Sequence, residues 1–163
     1  MMKRLMYLNF LILALVIESC SSDDDSSSDN GGSEIPDTLV SGELFGEPFT
    51  GNGSSAYVIE TFDEERLSVF LSSEDVGCET NQFSEAYTIT ISGPRTEGST
   101  NDVFVSFSDP NSEDFITVGS GIDYEIISIT QTEIEAKIRV NSSDGKNNLE
   151  GKFTAPICSD DEG

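Results

Sequence analysis

The chain has 163 residues, of which 36% are hydrophobic and 24% are charged. It carries 31 acidic and 8 basic residues, a net charge of −23, and it has no histidine. The charge excludes nucleic acid as a partner, because that binding depends on cationic neutralisation of phosphate. The length is enough for one sizeable hydrophobic core and too short for two.

Residues 1–19 have the composition of a signal peptide. Lys3 and Arg4 precede an apolar stretch that runs from about Leu8 to Ile17. A basic region followed by a short apolar run is typical of a secretory signal, and the run is shorter than the ~20 residues that a membrane-spanning helix needs. We therefore expect a signal peptide here and no stable transmembrane helix.

The tetrad that ends this run consists of Ile17, Glu18, Ser19 and Cys20. It resembles the lipobox of bacterial lipoproteins, in which signal peptidase recognises an aliphatic residue, a small residue before the cut and an obligatory cysteine. Glu18 departs from the pattern, because a small or uncharged residue is usual there. The resemblance implies that Cys20 is lipidated and that several acyl chains anchor the protein firmly in a lipid bilayer. It also implies the lipoprotein processing and export machinery as partners.

The segment from Ser21 to Glu34 contains no apolar side chain. It cannot fold alone, because nothing in it offsets the entropy of ordering the chain. As a flexible coil it would span roughly 20 Å. We predict that residues 20–36 form a lipidated, acidic, Ser-rich tether and that residues 37–163 form one domain. A solvated spacer is a sufficient explanation of the tether's composition.

Ser22, Asp23, Asp24 and Asp25 allow a second interpretation of the tether. They resemble the acidic export signal of surface lipoproteins in Bacteroidota, where a few acids soon after the lipidated cysteine direct the protein to the outer leaflet. The resemblance implies a lipid-anchored outer-membrane protein that faces the cell surface. A periplasm-facing location is the alternative.

The other two cysteines, Cys78 and Cys158, form an even pair once Cys20 is assigned to the anchor. In an oxidising compartment such a pair indicates one disulfide, which would close a loop of about 80 residues. A metal site is the alternative, but two thiols without histidine make a poor zinc site. We expect the disulfide, and no bound metal or cofactor.

From Leu39 onward, apolar and polar residues alternate with a period of two. Such alternation buries one face of an antiparallel sheet and leaves the other in water. The apolar phase shifts between Ile126 and Ile127, which suggests a β-bulge. Clear runs lie at 87–92, 134–140 and 149–155, and weaker runs at 39–45, 55–62, 66–72, 103–108, 115–119 and 122–130.

Turn-forming residues separate these runs, and no stretch has a sustained helical period. Helix is expected as a turn or two at most, at 80–85. About nine short strands predict an all-β fold, a single antiparallel β-sandwich or flattened β-barrel. The turns lie at 46–48, 63–65, 93–94, 109–111, 119–121 and 143–145.

The layout of residues 39–158 resembles that of several bacterial lipoproteins. It opens with SGELFGEPF at 41–49, has Cys78 in mid-chain and closes with LEGKFT at 149–154 before Cys158. Those lipoproteins are mostly of uncharacterised function. The resemblance therefore implies a fold and no chemistry.

The sequence contains no catalytic motif. Without histidine there is no Ser-His-Asp or Cys-His arrangement, and no phosphate-binding glycine loop precedes Gly145-Lys146. Glycosidases need only two carboxylates at a suitable separation, which a chain this acidic provides by chance. Solubility and charge repulsion explain the acidity better than a basic partner or divalent ions. We name no catalytic residue.

Asp109, Asn111 and Glu113 are spaced like the start of a calcium loop. Asp114 occupies the position of the expected glycine and Ser120 that of the bidentate glutamate, which excludes an EF-hand and leaves a looser calcium-binding turn open.

Nine aromatic residues lie on predicted strands, and most of them are expected in the core. The absence of tryptophan counts against a sugar-stacking platform without excluding one. The nine are Tyr57, Phe62, Phe70, Tyr87, Phe104, Phe107, Phe115, Tyr124 and Phe153.

Two classes of function fit these observations. The favoured one is a membrane-anchored, surface-exposed lipoprotein whose non-enzymatic β-domain is a binding, adhesion or envelope-associated module for an unknown extracellular ligand. The alternative is a carboxylate-based glycan hydrolase at the cell surface.

Overall fold

The structure is a computed structural model that describes residues 34–61, 64–79, 86–112 and 115–159. Several sequence predictions lie outside these ranges. They are the tetrad Ile17, Glu18, Ser19 and Cys20, the acidic stretch Ser22, Asp23, Asp24 and Asp25, the helical turn at 80–85, and the positions of Phe62, Glu113 and Asp114.

The described residues form eleven β-strands and no helix, which confirms the all-β prediction. Within this part of the chain, accordingly, no helix has the length and apolar character that a membrane crossing requires. Two strands, β2 and β6, were not predicted. β2 begins within the turn predicted at 46–48, and β6 has only three residues, which is too few for an alternating pattern. The strands are β1 (Ser41–Leu44), β2 (Glu47–Thr50), β3 (Gly53–Thr61), β4 (Glu64–Ser72), β5 (Thr88–Pro94), β6 (Gly98–Thr100), β7 (Phe104–Ser108), β8 (Phe115–Val118), β9 (Ile122–Ile129), β10 (Glu133–Asn141) and β11 (Asn148–Cys158).

All strands belong to one sheet, in the order β6-β9-β10-β11-β3-β4-β5-β7-β8, with β1 paired to both β11 and β2. Every strand pair is antiparallel except β11 with β3, where Ile157 and Cys158 run parallel to Ala56 and Tyr57. This short parallel pair is the one departure from the antiparallel arrangement among the described strand pairs. Alternation within a strand reports which face is buried and contains no information on the direction of its neighbour.

The sheet is curled, so that its two halves bury their inner faces in one core. Strands β6, β9, β10 and β11 form one half, and β3, β4, β5, β7 and β8 form the other. Among the described strands, β6 and β8 end the main path of the sheet, and β2, which pairs only with β1, ends its branch. The fold is thus one curled sheet and not two separate sandwich sheets. Its largest fully buried side chains include Leu44, Leu67, Leu71, Ile89, Ile91, Phe107, Ile126, Ile134 and Ile138.

The predicted bulge is present in β9. Glu135 pairs with Ser128 while Ala136 pairs with Ile126, so Ile127 is the extra residue, and it is 38% exposed. Ile126 and Ile129 are three positions apart and would lie on opposite faces of a regular strand. The extra residue at the bulge lets both side chains face the core.

The segment before β1 packs against β11 at a glycine. The backbone N–H of Lys152 donates to the carbonyl of Thr38, and the N–H of Val40 donates to the carbonyl of Lys152. Gly151 has φ +140°, and a Cβ there would lie 2.6 Å from the Thr38 oxygen. Only glycine permits this backbone conformation and this approach. The start of the domain is therefore held against β11.

Cys78 and Cys158 form a disulfide in the structure, with their Cα atoms 5.4 Å apart. Cys158 is the last residue of β11, and Cys78 lies in the loop after β4. The bridge connects that loop to the end of β11 beside β3.

Candidate functional site

The curl gives each half of the sheet an outer face toward solvent, and the two outer faces differ in chemistry. We call the outward residues of β9, β10 and β11 the charged face. In antiparallel strands, residues in register project from the same face and interact across the strands. Two registered rows of this face are Glu125-Lys137-Lys152 and Asp123-Arg139-Glu150.

Ion pairs cover the charged face. Arg139 Nε donates to Glu150 Oε2 at 2.8 Å, and its guanidinium lies 3.8 Å from Asp123. Lys152 pairs with Glu135. These cations are paired with neighbouring carboxylates. The face therefore has no concentrated positive charge for an anionic ligand.

The segment at 34–38 lies across the charged face. Lys137 Nζ is 2.8 Å from Asp37 Oδ1 and 3.9 Å from Glu34, and Arg139 donates a hydrogen bond of 3.0 Å to the backbone carbonyl of Glu34. The hydrogen bond from Lys137 lowers the pKa of Asp37, and the same contact raises the pKa of Lys137. Such solvent-exposed pairs contribute little stability each, yet they fix where the chain enters the domain.

A shallow groove of about 410 Å³ lies between this segment and the sheet. Arg139 is its only cationic lining residue, and its guanidinium is already engaged by Glu150. The groove lies where the entering segment meets the sheet, and it contains no catalytic arrangement. Its lining includes Pro36, Thr38, Ser41, Asn141, Asn148 and Leu149.

The outer face of β3, β4, β5, β7 and β8 has a different composition. In these strands every second residue, such as Val69, Ile91 and Phe107, is buried in the core. The residues between them therefore project outward. They form two registered rows, which we call the hydroxyl face. The rows are Ser55-Phe70-Thr90-Ser106-Thr117 and Tyr57-Ser68-Ser92-Phe104.

The hydroxyl face has no charged residue in either row, although 24% of the chain is charged. Arg66 lies in the adjoining row, and its guanidinium pairs with Asp102 at 2.7 Å. This hydrogen bond lowers the pKa of Asp102 and raises that of Arg66. The cation is thus neutralised at the border of the face.

Aromatic rings lie among the hydroxyl groups of this face. The rings of Tyr57 and Phe70 are 6.0 Å apart in an edge-to-face arrangement. Phe104 is 53% exposed, and Phe115 beside the face is 62% exposed. The expectation that most strand aromatics are in the core was therefore wrong for these four, whereas Phe107, Tyr124 and Phe153 are buried.

One corner of the hydroxyl face is covered by the loop after β4. Ser55 is fully buried there, and the Tyr57 hydroxyl lies 3.5 Å from the Cys78 carbonyl oxygen. A Cβ at Gly53 would lie 2.1 Å from the Val76 nitrogen, so the loop packs directly on β3. The disulfide at Cys78 therefore positions the border of the open surface.

The candidate calcium loop is a hydrogen-bonded turn in its described part. Asp109 Oδ1 accepts a hydrogen bond of 2.8 Å from the backbone N–H of Asn111, whose side chain donates to Tyr87. Glu113 and Asp114 are outside the described ranges. Within those ranges no three acidic or cysteine side chains are grouped to hold a metal ion.

Three described carboxyl groups have shifted pKa values, and all three shifts are downward. Hydrogen bonds from Lys137, Arg66 and Ser142 stabilise the carboxylates of Asp37, Asp102 and Asp144 respectively. A glycosidase's general acid requires the opposite shift, because it must retain its proton near neutral pH.

Comparisons with protein-family models, curated proteins and solved structures give no match for this chain.

Proposed function

We propose that this protein is a lipid-anchored lipoprotein of the outer membrane, facing the cell surface, whose β-domain is a non-enzymatic binding module. The observation that carries the proposal is the placement of two features on opposite sides of one core. Glu34 and Asp37, at the end that leads to the tether, contact the charged face. The uncharged hydroxyl face lies on the other half of the curled sheet.

This placement suits a domain that is held by one side and used by the other. The described residues that lead to the tether lie on the charged face, and the hydroxyl face is on the other half of the sheet. On that face Tyr57 is half-buried, whereas Phe104 and Thr117 are exposed. We therefore assign ligand binding to the hydroxyl face and attachment to the charged face and the tether.

The lipid anchor is tested by Cys20→Ala, with Ser21→Ala as the matched control that leaves the thiol in place. Wild type and Ser21→Ala should partition into Triton X-114 and resist carbonate washing, because acyl chains anchor them. Cys20→Ala should accumulate as a precursor or as a soluble product. Equal membrane retention of all three proteins would contradict the anchor.

The non-enzymatic character is tested by incubating the purified protein with a panel of glycans. Release of reducing ends by wild type would overturn the binding-module proposal and favour the carboxylate-based hydrolase. The expected result is unchanged glycan length.

A further inference from the structure

We infer that the hydroxyl face binds an uncharged polysaccharide chain. This inference deepens the proposed function and rests on it. Its basis is the combination of three aromatic rings and five Ser or Thr residues that are at least partly exposed, without a charge, in two rows that cross five strands.

The negative charge of the protein favours an uncharged ligand. The chain has a net charge of −23, which repels sulfated or uronate-containing polymers over a distance of several ångströms. A polyanion would need a cation at the contact surface. Arg66, the only cation in the adjoining row, is held by both the side chain and the backbone carbonyl of Asp102.

The side-chain chemistry of the face fits sugars. A pyranose ring has an apolar C–H surface that packs on aromatic rings, and a rim of hydroxyl groups. The exposed ring of Phe104 and the Tyr57 ring, oriented by its contact with Phe70, provide the aromatic surface. Ser and Thr hydroxyls both donate and accept hydrogen bonds, so they match sugar hydroxyls in either direction.

The extent of the face favours a polymer over a single sugar. The row from Ser55 to Thr117 crosses five neighbouring strands. At the usual strand spacing this row is roughly 19 Å long. Ser55 lies under the loop, so the open part of the row runs from Phe70 to Thr117 and is roughly 14 Å long at the same spacing. That length exceeds a single sugar ring.

A protein partner fits the face less well. Protein–protein interfaces are depleted in Ser relative to the rest of the surface, and their centres are more apolar than these rows. A second copy of the chain would bring another charge of −23 to the contact. Both considerations favour the polysaccharide.

The test is affinity electrophoresis of the detergent-solubilised full chain. Native gels contain a soluble β-1,4-glucan, a β-1,3-glucan, an α-mannan or polygalacturonate. Migration should be slowed by at least one neutral polymer and not by polygalacturonate. Ser92→Asp places a carboxylate in the middle of the face, where contact with the polymer would bury it, and should weaken retardation at least about tenfold.

Thr154→Asp is the matched control, because it introduces the same carboxylate at an exposed position of β11 on the charged face. It should leave retardation unchanged. Phe104→Ala removes an exposed ring and should weaken retardation, while circular dichroism and the unfolding midpoint establish that each variant is folded.

Several outcomes would overturn the inference. They are no retardation by any neutral polymer, equal retardation of wild type and Ser92→Asp, or retardation by polygalacturonate alone. A dimer in analytical ultracentrifugation that Phe104→Ala dissociates would identify a second copy as the occupant. The anchor is measured separately through Cys20→Ala, so failure of anchoring with intact polymer binding would overturn only the lipoprotein assignment.

Discussion

Lys137 in the middle of β10 forms an ion pair with Asp37, and the two charged atoms are 2.8 Å apart. The Lys137 side chain is only 11% exposed, whereas that of Asp37 is 75% exposed. The lysine stem is packed on the sheet while its ammonium group holds the entering segment. This pair is the main side-chain attachment of the segment at 34–38.

Loss of this pair should loosen the entering segment. Asp37→Asn removes the charge at nearly constant volume, and we expect faster cleavage by endoproteinase GluC after Glu34. Glu43→Gln is the control, because Glu43 lies in β1 and its side chain is exposed. Equal cleavage rates of the two variants, measured by mass spectrometry, would show that the ion pair does not restrain the segment.

The same pair should be visible in the titration of Asp37. Its pKa is lowered from 3.8 in the folded protein, so its contribution to stability is present above that value and is lost as the pH falls through the lowered pKa. Carboxyl NMR should show Asp37 titrating below 3.8, and Lys137→Met should move the titration upward. An unchanged titration in Lys137→Met would contradict the assigned cause.

Gly151→Ala should destabilise the domain by about 1–3 kcal/mol, because φ +140° is strained for any other residue and the added carbon meets the Thr38 carbonyl. Gly77→Ala is the matched control, since a Cβ there has no atom within 4 Å. Denaturant unfolding followed by circular dichroism measures both. Identical unfolding midpoints would show that the segment before β1 adapts to the added carbon without loss of stability.

Reduction of the Cys78–Cys158 bridge should lower the free energy of unfolding by about 4 kcal/mol in the chain-entropy treatment, with the β-type circular dichroism retained in mild conditions. The double variant Cys78→Ser with Cys158→Ser should be equally destabilised and insensitive to reductant. Two alkylatable thiols in unreduced, denatured Cys20→Ala protein would show that the bridge does not form.

Tyr124 should ionise only when the domain unfolds. It is 3% exposed, and burial raises its pKa above the usual 10. Because the unfolded chain ionises first, stability should fall as the pH rises above 10. Absorbance at 295 nm should show a late phase that coincides with unfolding and is missing in Tyr124→Phe. Retention of that phase in the variant would contradict the assignment, and Tyr57→Phe is the control.

Replacement of Asp23, Asp24 and Asp25 by Asn should keep lipidation and reduce digestion by protease added to intact cells, if these acids act as an export signal. The control replaces Ser26, Ser27 and Ser28 by Asn and leaves the acids unchanged. Equal digestion of the two variants would return the stretch to the role of a spacer.

Local patterns were sufficient for much of the fold. Period-two alternation predicted the all-β class and the inward positions of Ile134, Ile138 and Phe153, because burying one face of a strand imposes that period. The phase shift at Ile127 predicted the bulge, since an extra residue must break the alternation. An even number of remaining cysteines predicted the bridge that the structure contains.

The rows of the hydroxyl face could not be predicted from the sequence, because tertiary contacts bring their residues together. Alternate Ser and Thr residues were readable in β4, β5 and β7, but the registers of two separate strand pairs bring Ser68, Ser92 and Phe104 into one row. The parallel pair of β11 with β3 and the contact of Lys137 with Asp37 likewise join residues that are far apart in the chain. A strand's own sequence specifies its buried face, whereas its neighbour and register depend on the free energy of the whole packed sheet.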